Sequence, residues 1–405
     1  MSIKNKIKKY IPDFLHVVVL SLVAGVFCGI AGALFVKSIQ FVTQLRQQHV
    51  WILYLLPLFG LAVTVLYGEL KTEGTGTNHI IKSVRTDKPV TPLLGIAVFG
   101  GTVLSHFGGA SVGREGAALQ IGGSVGEFLA ESFKIREGFR RILVMSGMSA
   151  CFSALFGTPL AAFVFVLEVV RIGKRCFVAI IPVFLSSITA FLTANKLGVA
   201  PERFPVSEIP QFTSGIVWRF IVITVAGALV SEIFVYALHF SEKGFTRLFK
   251  NKYLRVAVGG IVVILLTKFF GTTDYNGGGI DIIHHIFTEG KVEYGAFLLK
   301  IIFTAVSVGA GYRGGEIVPT LFIGGTLGGT GALLLGLNPG FGAAIGITAL
   351  FSGVTNCPFA TVFLACEMFG IEGIGYYVVA SAISFALSGK VSLYSGRKLP
   401  FVKNH

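Results

Sequence analysis

Apolar stretches of membrane-helix length run through nearly the whole chain, and among them lie others broken by glycine pairs and prolines. The long stretches cover 14–42, 50–68, 140–170, 176–196, 214–240, 254–270, 292–310 and 374–390. A helix crossing a hydrocarbon core of about 30 Å needs about 20 residues, so each is a candidate span. The shorter or broken stretches cover 92–107, 117–131, 317–336 and 341–369. Gly-Gly at 100–101, 108–109, 122–123, 314–315 and 324–325 punctuates the chain, as do Pro159, Pro319 and Pro358. Irregular backbone at membrane depth is tolerated only where protein buries it or a polar cavity hydrates it. The breaks therefore mark the expected route of a ligand.

Composition closes off the alternatives. Of 405 residues, 53% are apolar and 13% charged, about half the charged share of a soluble chain. A soluble enzyme, a disordered chain and a disulfide scaffold are all excluded. The formal charge of +14 reads as cytoplasmic positive charge and as a background potential suited to an anionic cargo, not as a nucleic-acid surface. Lys4, Lys6, Lys8 and Lys9 precede an apolar run from Phe14 to Phe35. That run is too long for a signal peptide and no small-residue cleavage site follows, so an uncleaved first helix with a cytoplasmic N-terminus is expected. Cys28, Cys151, Cys176, Cys357 and Cys366 are scattered and form no C-x-x-C pair; they read as small apolar side chains. His284-His285 and the other histidines have no metal-ligand spacing, so no metal and no cofactor are expected.

The chain repeats itself. Gly157-Thr-Pro-Leu-Ala-Ala-Phe-Val-Phe-Val-Leu-Glu168 matches Asn356-Cys-Pro-Phe-Ala-Thr-Val-Phe-Leu-Ala-Cys-Glu367, and Ile121-Gly-Gly-Ser-Val-Gly126 matches Ile323-Gly-Gly-Thr-Leu-Gly328. Gly74-Thr-Gly-Thr-Asn78 matches Gly277-Gly-Gly-Ile-Asp281 more loosely, and the offsets of 199, 202 and 203 residues are nearly constant. The expected organisation is a basic N-terminus over 1–13, a first membrane half over 14–197, a proline-bearing linker over 198–213, a second half over 214–390 and a short C-terminal segment over 391–405. Paired halves with breaks in corresponding places are the pattern of transporters that bind substrate near the midplane.

The densest chemical signal is Gly108-Gly-Ala-Ser-Val-Gly-Arg-Glu-Gly-Ala-Ala-Leu-Gln-Ile-Gly-Gly123. Glycines let backbone N–H groups face a ligand and the following helix adds its positive end, so the segment is an anion cradle. Glu115 is odd there, since its carboxylate competes with an anion for the same donors. Ionised, it occupies the site; protonated, it leaves. The plainer reading, that Arg114 and Glu115 form a structural pair capping a helix, weighs about equally. Gly309-Ala-Gly-Tyr-Arg-Gly-Gly-Glu-Ile-Val-Pro-Thr320 holds the corresponding place in the other half and offers amides at Ile317 and Val318. Alone it would read as a kinked helix; as a repeat mate it becomes the second wall. Gly74-Thr-Gly-Thr-Asn78 supplies capping groups first, and Thr75, Thr77 or Asn78 as anion ligands second. Tyr394 alone would be an interfacial membrane anchor.

Together these residues resemble the CLC family of chloride channels and anion/proton antiporters. Gly113-Arg-Glu-Gly116 with Gln120-Ile-Gly-Gly is similar to its gating-glutamate motif, and Gly314-Gly-Glu-Ile-Val-Pro319 to its second anion-binding motif. The resemblance, over roughly 14–397, implies an all-α membrane protein with an inverted-repeat helical fold and broken helices. It implies a homodimer with one pathway per subunit, both termini cytoplasmic, in the cell membrane, and no appended regulatory domain. It also implies Glu115 as gate, Arg114, Gly116, Ile317 and Val318 around the anion, Thr75 or Thr77 in the slot of the family's coordinating serine, and Tyr394 at the inner gate. The proline usual after the gating motif is Ala117, and the antiporters' internal relay glutamate falls at Val169, beside Glu168. Gly-Gly-Glu and Asn356-Cys-Pro resemble the fluoride-exporting branch, so the expectation is a fluoride/proton antiporter, not an enzyme. A chloride/proton antiporter or chloride channel of the same fold is the alternative.

Overall fold

The structure, a computed structural model, describes residues 3–86, 88–170, 176–389 and 392–394. The basic side chains before residue 12, the side chain of Cys176 and the C-terminal segment beyond Tyr394 lie outside what is described. Within it the chain is helical, and among the described residues the only β contact is the isolated Gly113–Gly315 bridge. The chain divides into two compact units, each made of segments that alternate along the sequence. The first takes Met1–Ser38, Leu70–Phe99 and Ala117–Glu202; the second takes Ile39–Glu69, Gly100–Gly116 and Arg203–His405.

Helix α1 runs over Ile3–Gln48, so helix is already present in the basic segment before residue 14. A 3₁₀ turn at Val50–Leu55 leads into α2, Leu56–Glu69. Then follow α3 (Thr77–Thr86), α4 (Leu93–Gly108), α5 (Glu115–Ser132), α6 (Glu137–Phe156), α7 (Pro159–Val170) and α8 (Cys176–Lys196). Beyond the linker come α9 (Ser214–Leu248), α10 (Lys252–Phe270), α11 (Ile280–Glu289) and α12 (Ala296–Ala310). The last four are α13 (Ile317–Leu335), α14 (Pro339–Thr355), α15 (Pro358–Phe369) and α16 (Ile374–Leu387). Among the described residues, seven helical spans are long and apolar enough to cross a membrane. Large apolar side chains stand exposed on α8, α9 and α10, among them Phe177, Phe240 and Phe269; such a surface belongs against hydrocarbon.

Pro159 and Pro358 break helices where expected, whereas Pro319 lies in the first turn of the continuous helix α13. The 140–170 stretch splits into α6 and α7: Gly157 caps α6 in the left-handed region at φ 70°, and Pro159 opens α7. The 341–369 stretch splits the same way, with Asn356 at φ 55° closing α14 and Pro358 opening α15. Proline suits the first helical position because its missing N–H would be unpaired there anyway. Asparagine tolerates the left-handed region that glycine takes freely.

Three glycine pairs behave otherwise, and the expectation that 92–107, 117–131 and 317–336 are broken is corrected: Gly100-Gly101 lies inside the continuous helix α4. Gly122-Gly123 and Gly324-Gly325 lie inside the continuous helices α5 and α13. In the first unit, a Cβ on Gly122 would fall 2.0 Å from the Gly147 carbonyl oxygen of α6, and one on Gly126 2.3 Å from that of Leu143. In the second unit, a Cβ on Gly324 would meet the Gly346 oxygen at 2.7 Å, and one on Gly328 the Gly342 oxygen at 2.1 Å. These glycines are the contact faces of α5 on α6 and of α13 on α14. Small residues let membrane helices approach backbone to backbone, where dispersion contacts are dense.

Candidate functional site

In the second unit, chain reversal at two glycine turns joins the Gly113–Gly116 and Gly314–Val318 segments. Gly113 N–H donates to the Gly315 carbonyl at 2.5 Å and Gly315 N–H returns a bond to Gly113 at 2.6 Å. Glycine is required by proximity: a Cβ on Gly315 would lie 2.5 Å from the Gly116 nitrogen, and one on Gly113 would lie 2.9 Å from the Glu115 carboxylate. Each segment is followed at once by a helix, α5 from Glu115 and α13 from Ile317. The positive ends of two helices are thus held beside one carboxylate.

Glu115 is fully buried. Its Oε2 accepts from the Arg114 backbone N–H at 3.0 Å and from the Val318 N–H at 3.2 Å, and its Oε1 accepts from Arg114 Nε at 3.4 Å. The carboxylate therefore takes up donors at the start of α13. Arg114, Glu115 and Val318 are thus brought together. Ile317 is fully buried beside Val318, and Gly116 is buried next to Glu115.

Tyr394 belongs to the same unit. Its segment is tied to the end of α14: Leu393 N–H donates to the Val354 carbonyl at 2.9 Å, and Ser392 Oγ donates to the same oxygen at 3.0 Å. Tyr394 is 5% exposed and lies within electrostatic reach of Glu316, Cys357 and Glu115. A membrane-anchoring tyrosine would stand half out of the protein, so that plainer reading does not hold. Glu316 is a residue that sequence reasoning passed over. It stands at the N-cap of α13, where its carbonyl accepts from Thr320 Oγ1 at 2.8 Å. Its letter in Gly-Gly-Glu was read only as a motif mark.

Thr75, Thr77 and Asn78 lie in the first unit. Thr75 N–H and Oγ1 both donate to the Thr72 carbonyl, closing a turn. Helix α3 begins at Thr77, whose Oγ1 accepts from Gln120 Nε2 at 3.1 Å. Gln120 sits in the second turn of α5, the helix that carries Glu115 at its start. Asn78 is exposed. Glu168 and Glu367 sit half-buried on α7 and α15. Among the described residues no group of three or more His, Cys, Asp or Glu side chains could hold a metal ion.

A multi-pass helical membrane protein with a buried carboxylate seated on the amide donors of two converging helix starts is the class that fold and site define. Residues 59–389 match the family of voltage gated chloride channels, and the chain belongs to it, the CLC family. The chain is 35% identical over 397 residues to the chloride/fluoride channel protein of Pseudomonas syringae pv. tomato, covering 95% of this chain and 87% of that one. It is 26% identical to the H(+)/Cl(-) exchange transporter ClcA of Vibrio campbellii, covering 94% and 86%. The crystal structure of a CLC-type fluoride/proton antiporter superposes with TM-score 0.89 at 30% identity, over 94% of this chain and 97% of that one.

Proposed function

We propose that this chain is a fluoride/proton antiporter that exports fluoride, with Glu115 as the proton-coupled gate. The observation that carries the reading is the bonding of the Glu115 carboxylate to the Val318 and Arg114 N–H groups. Those donors serve one anion at a time. While Glu115 is ionised it holds them itself. A proton reaching its carboxylate removes the charge that made it a good acceptor, since hydrogen bonds to a charged partner are worth about twice those to a neutral one. The carboxyl then leaves, and a small anion takes the donors. When the proton departs to the other side, the carboxylate returns and displaces the anion. Proton and anion movement are linked because both depend on one side chain. The names of the Pseudomonas relative and of the structurally similar antiporter favour fluoride as the anion. The Vibrio relatives, exchangers of protons and chloride, support chloride as the alternative. The working unit is a homodimer in the cell membrane with both termini cytoplasmic.

Fluoride is smaller and more strongly hydrated than chloride, so a site favouring it replaces more hydration with short, well-aimed donors. Backbone amides at Gly116, Ile317 and Val318 are donors of that kind. The test is efflux from liposomes loaded with both anions, followed by fluoride-selective, chloride-selective and pH electrodes on one preparation. Wild type is expected to release fluoride far faster than chloride and to take up protons with it. Glu115→Gln, which cannot cycle between anion and acid, is expected to lose the proton movement. Faster chloride release replaces the fluoride reading with the chloride one. Proton flux at the wild-type rate in Glu115→Gln makes Glu115 only a cap.

A further inference from the structure

The second unit contains a cavity of about 340 Å³ that the cradle does not use. It is lined by the end of α1, including Thr43 and Arg46, and by the 273–282 segment that leads into α11. Arg46 is 8% exposed, and its Nε has no hydrogen-bond partner among the described residues. Its terminal nitrogens are wedged against glycine backbone: a Cβ on Gly109 would fall 2.6 Å from Nη1, and one on Gly277 3.3 Å from Nη2. The cavity also borders Gly278, Gly279 and the first turn of α11. Gly279 caps that helix at φ 84° and, having no side chain, supplies no acceptor to its first-turn N–H groups. Burying a guanidinium with unused donors is costly unless a counter-charge completes them. Here a buried cation and an uncapped helix start face one space.

The frame around this space is rigid and positive. Lys300 Nζ donates to the Tyr275 carbonyl at 3.1 Å and the Gly277 carbonyl at 2.7 Å, and sits over the Phe322 ring. Asn276 Nδ2 donates to the Gly109 carbonyl at 2.9 Å, and Gly277 N–H donates to the Ala110 carbonyl at 3.0 Å. These bonds fix the turn before α11 from behind. His106 lies within electrostatic reach of Arg46, Lys300 and Arg114. Two carboxylates also border the space, Asp274 and Asp281. Neither is paired with Arg46, and Asp281 is exposed.

We propose that this cavity is a second anion site, in which a halide ion is held between the Arg46 guanidinium and the first-turn amides of α11. It rests on the reading that the chain transports small anions. With α1 crossing the membrane once from a cytoplasmic N-terminus, Arg46 stands at the external end, and the site is a station at the outer mouth. Asp274 and Asp281 limit how tightly the ion is kept, as a transport station requires.

Crystals of the full chain soaked in sodium bromide, with data collected at the bromine edge, locate the ion without requiring transport. Wild type is expected to show an anomalous peak within hydrogen-bond distance of Arg46, and Arg46→Gln to lose it. In liposomes, the external fluoride concentration giving half-maximal uptake is expected to rise about tenfold in Arg46→Gln, the loss of one charged hydrogen bond, and to recover most of the way in Arg46→Lys. Asp274→Asn, which keeps Arg46 in place, is expected to lower that concentration several-fold and serves if Arg46→Gln does not assemble. The proposal is overturned by a wild-type map without bromide at Arg46, by a lipid phosphate found there instead, or by half-maximal concentrations unchanged in both Arg46→Gln and Asp274→Asn. A chain that moves no fluoride sinks the transport reading, and the bromide map still decides the site.

Discussion

Gly315→Ala perturbs the cradle with the smallest possible addition. The new Cβ would stand 2.5 Å from the Gly116 nitrogen and 3.0 Å from the Glu115 nitrogen, where ordinary contact begins at 3.4 Å. Both neighbours are backbone, so neither can rotate aside, and the two segments must part by about 1 Å, at an overpacking cost of ~1–3 kcal/mol. The Val318 N–H, now 3.2 Å from the Glu115 carboxylate, is then out of hydrogen-bond range. A bond to a charged group is worth ~1.5–3 kcal/mol, so the balance between seated and displaced carboxylate shifts by roughly 10- to 100-fold. The expected outcome is anion release that no longer depends on a proton gradient, with a lowered melting temperature in detergent. Gly244→Ala on α9 is the control, since nothing lies within 4 Å of its Cβ position and alanine favours helix. Paired fluoride and pH electrodes on one liposome preparation read the ratio. A wild-type ratio of fluoride to protons in Gly315→Ala, with an unchanged melting temperature, refutes the claim that this close approach seats the gate.

Three further outcomes are expected. Thr77→Ser frees a hydroxyl that a β-branched side chain holds in few orientations, and chloride release should rise relative to fluoride when both are measured together; an unchanged ratio denies Thr77 a part in selectivity, and Thr75→Ser is tried next. Tyr394→Ala should raise proton-independent fluoride leak in the electrode assay, whereas Glu168→Gln, whose repeat mate is Glu367, should reduce yield or dimer stability by size-exclusion chromatography and leave coupling intact. Asn356→Gly should keep wild-type thermal stability because glycine accepts φ 55°, while Asn356→Ala should be the less stable of the two, because alanine meets the ~1–2 kcal/mol left-handed penalty without the short polar side chain by which asparagine tolerates that region, read by thermal denaturation in detergent.

Much of this architecture was legible in the apolar runs, because a bilayer leaves backbone few choices. Pro159 and Pro358 break their stretches in the sequence and in the fold alike, since a missing N–H acts locally. The cradle was legible too, because Gly-Arg-Glu-Gly and Gly-Gly-Glu-Ile-Val-Pro each pack glycine against a helix start within a few residues. Gly122 and Gly324 were misread as breaks. Glycine permits a turn and permits close helix contact with the same missing Cβ, and only the partner helix, more than 20 residues away, tells which. Arg46 gave no signal at all: its neighbours Gly109 and Gly277 are remote in sequence, and a basic residue at the end of a membrane helix is ordinary. Thr75 and Thr77 could not be told apart by spacing, and what distinguishes them is the side chain of Gln120 on another helix.

The glycine contacts along α5 and α13 carry a consequence for speed. A helix in backbone contact with its neighbour has no soft side-chain layer to slide on, and moving it would open a gap along its whole length. Rocking these helices on every cycle would therefore be expensive, and cycles built on it slow. Were the shafts to stay in place, turnover would rest on smaller movements, such as a carboxylate swinging about its own torsions. Such a protein would carry anions at a rate set by how often one acid gains and loses a proton, and substitutions that fill those helix contacts would damage folding long before they slowed transport.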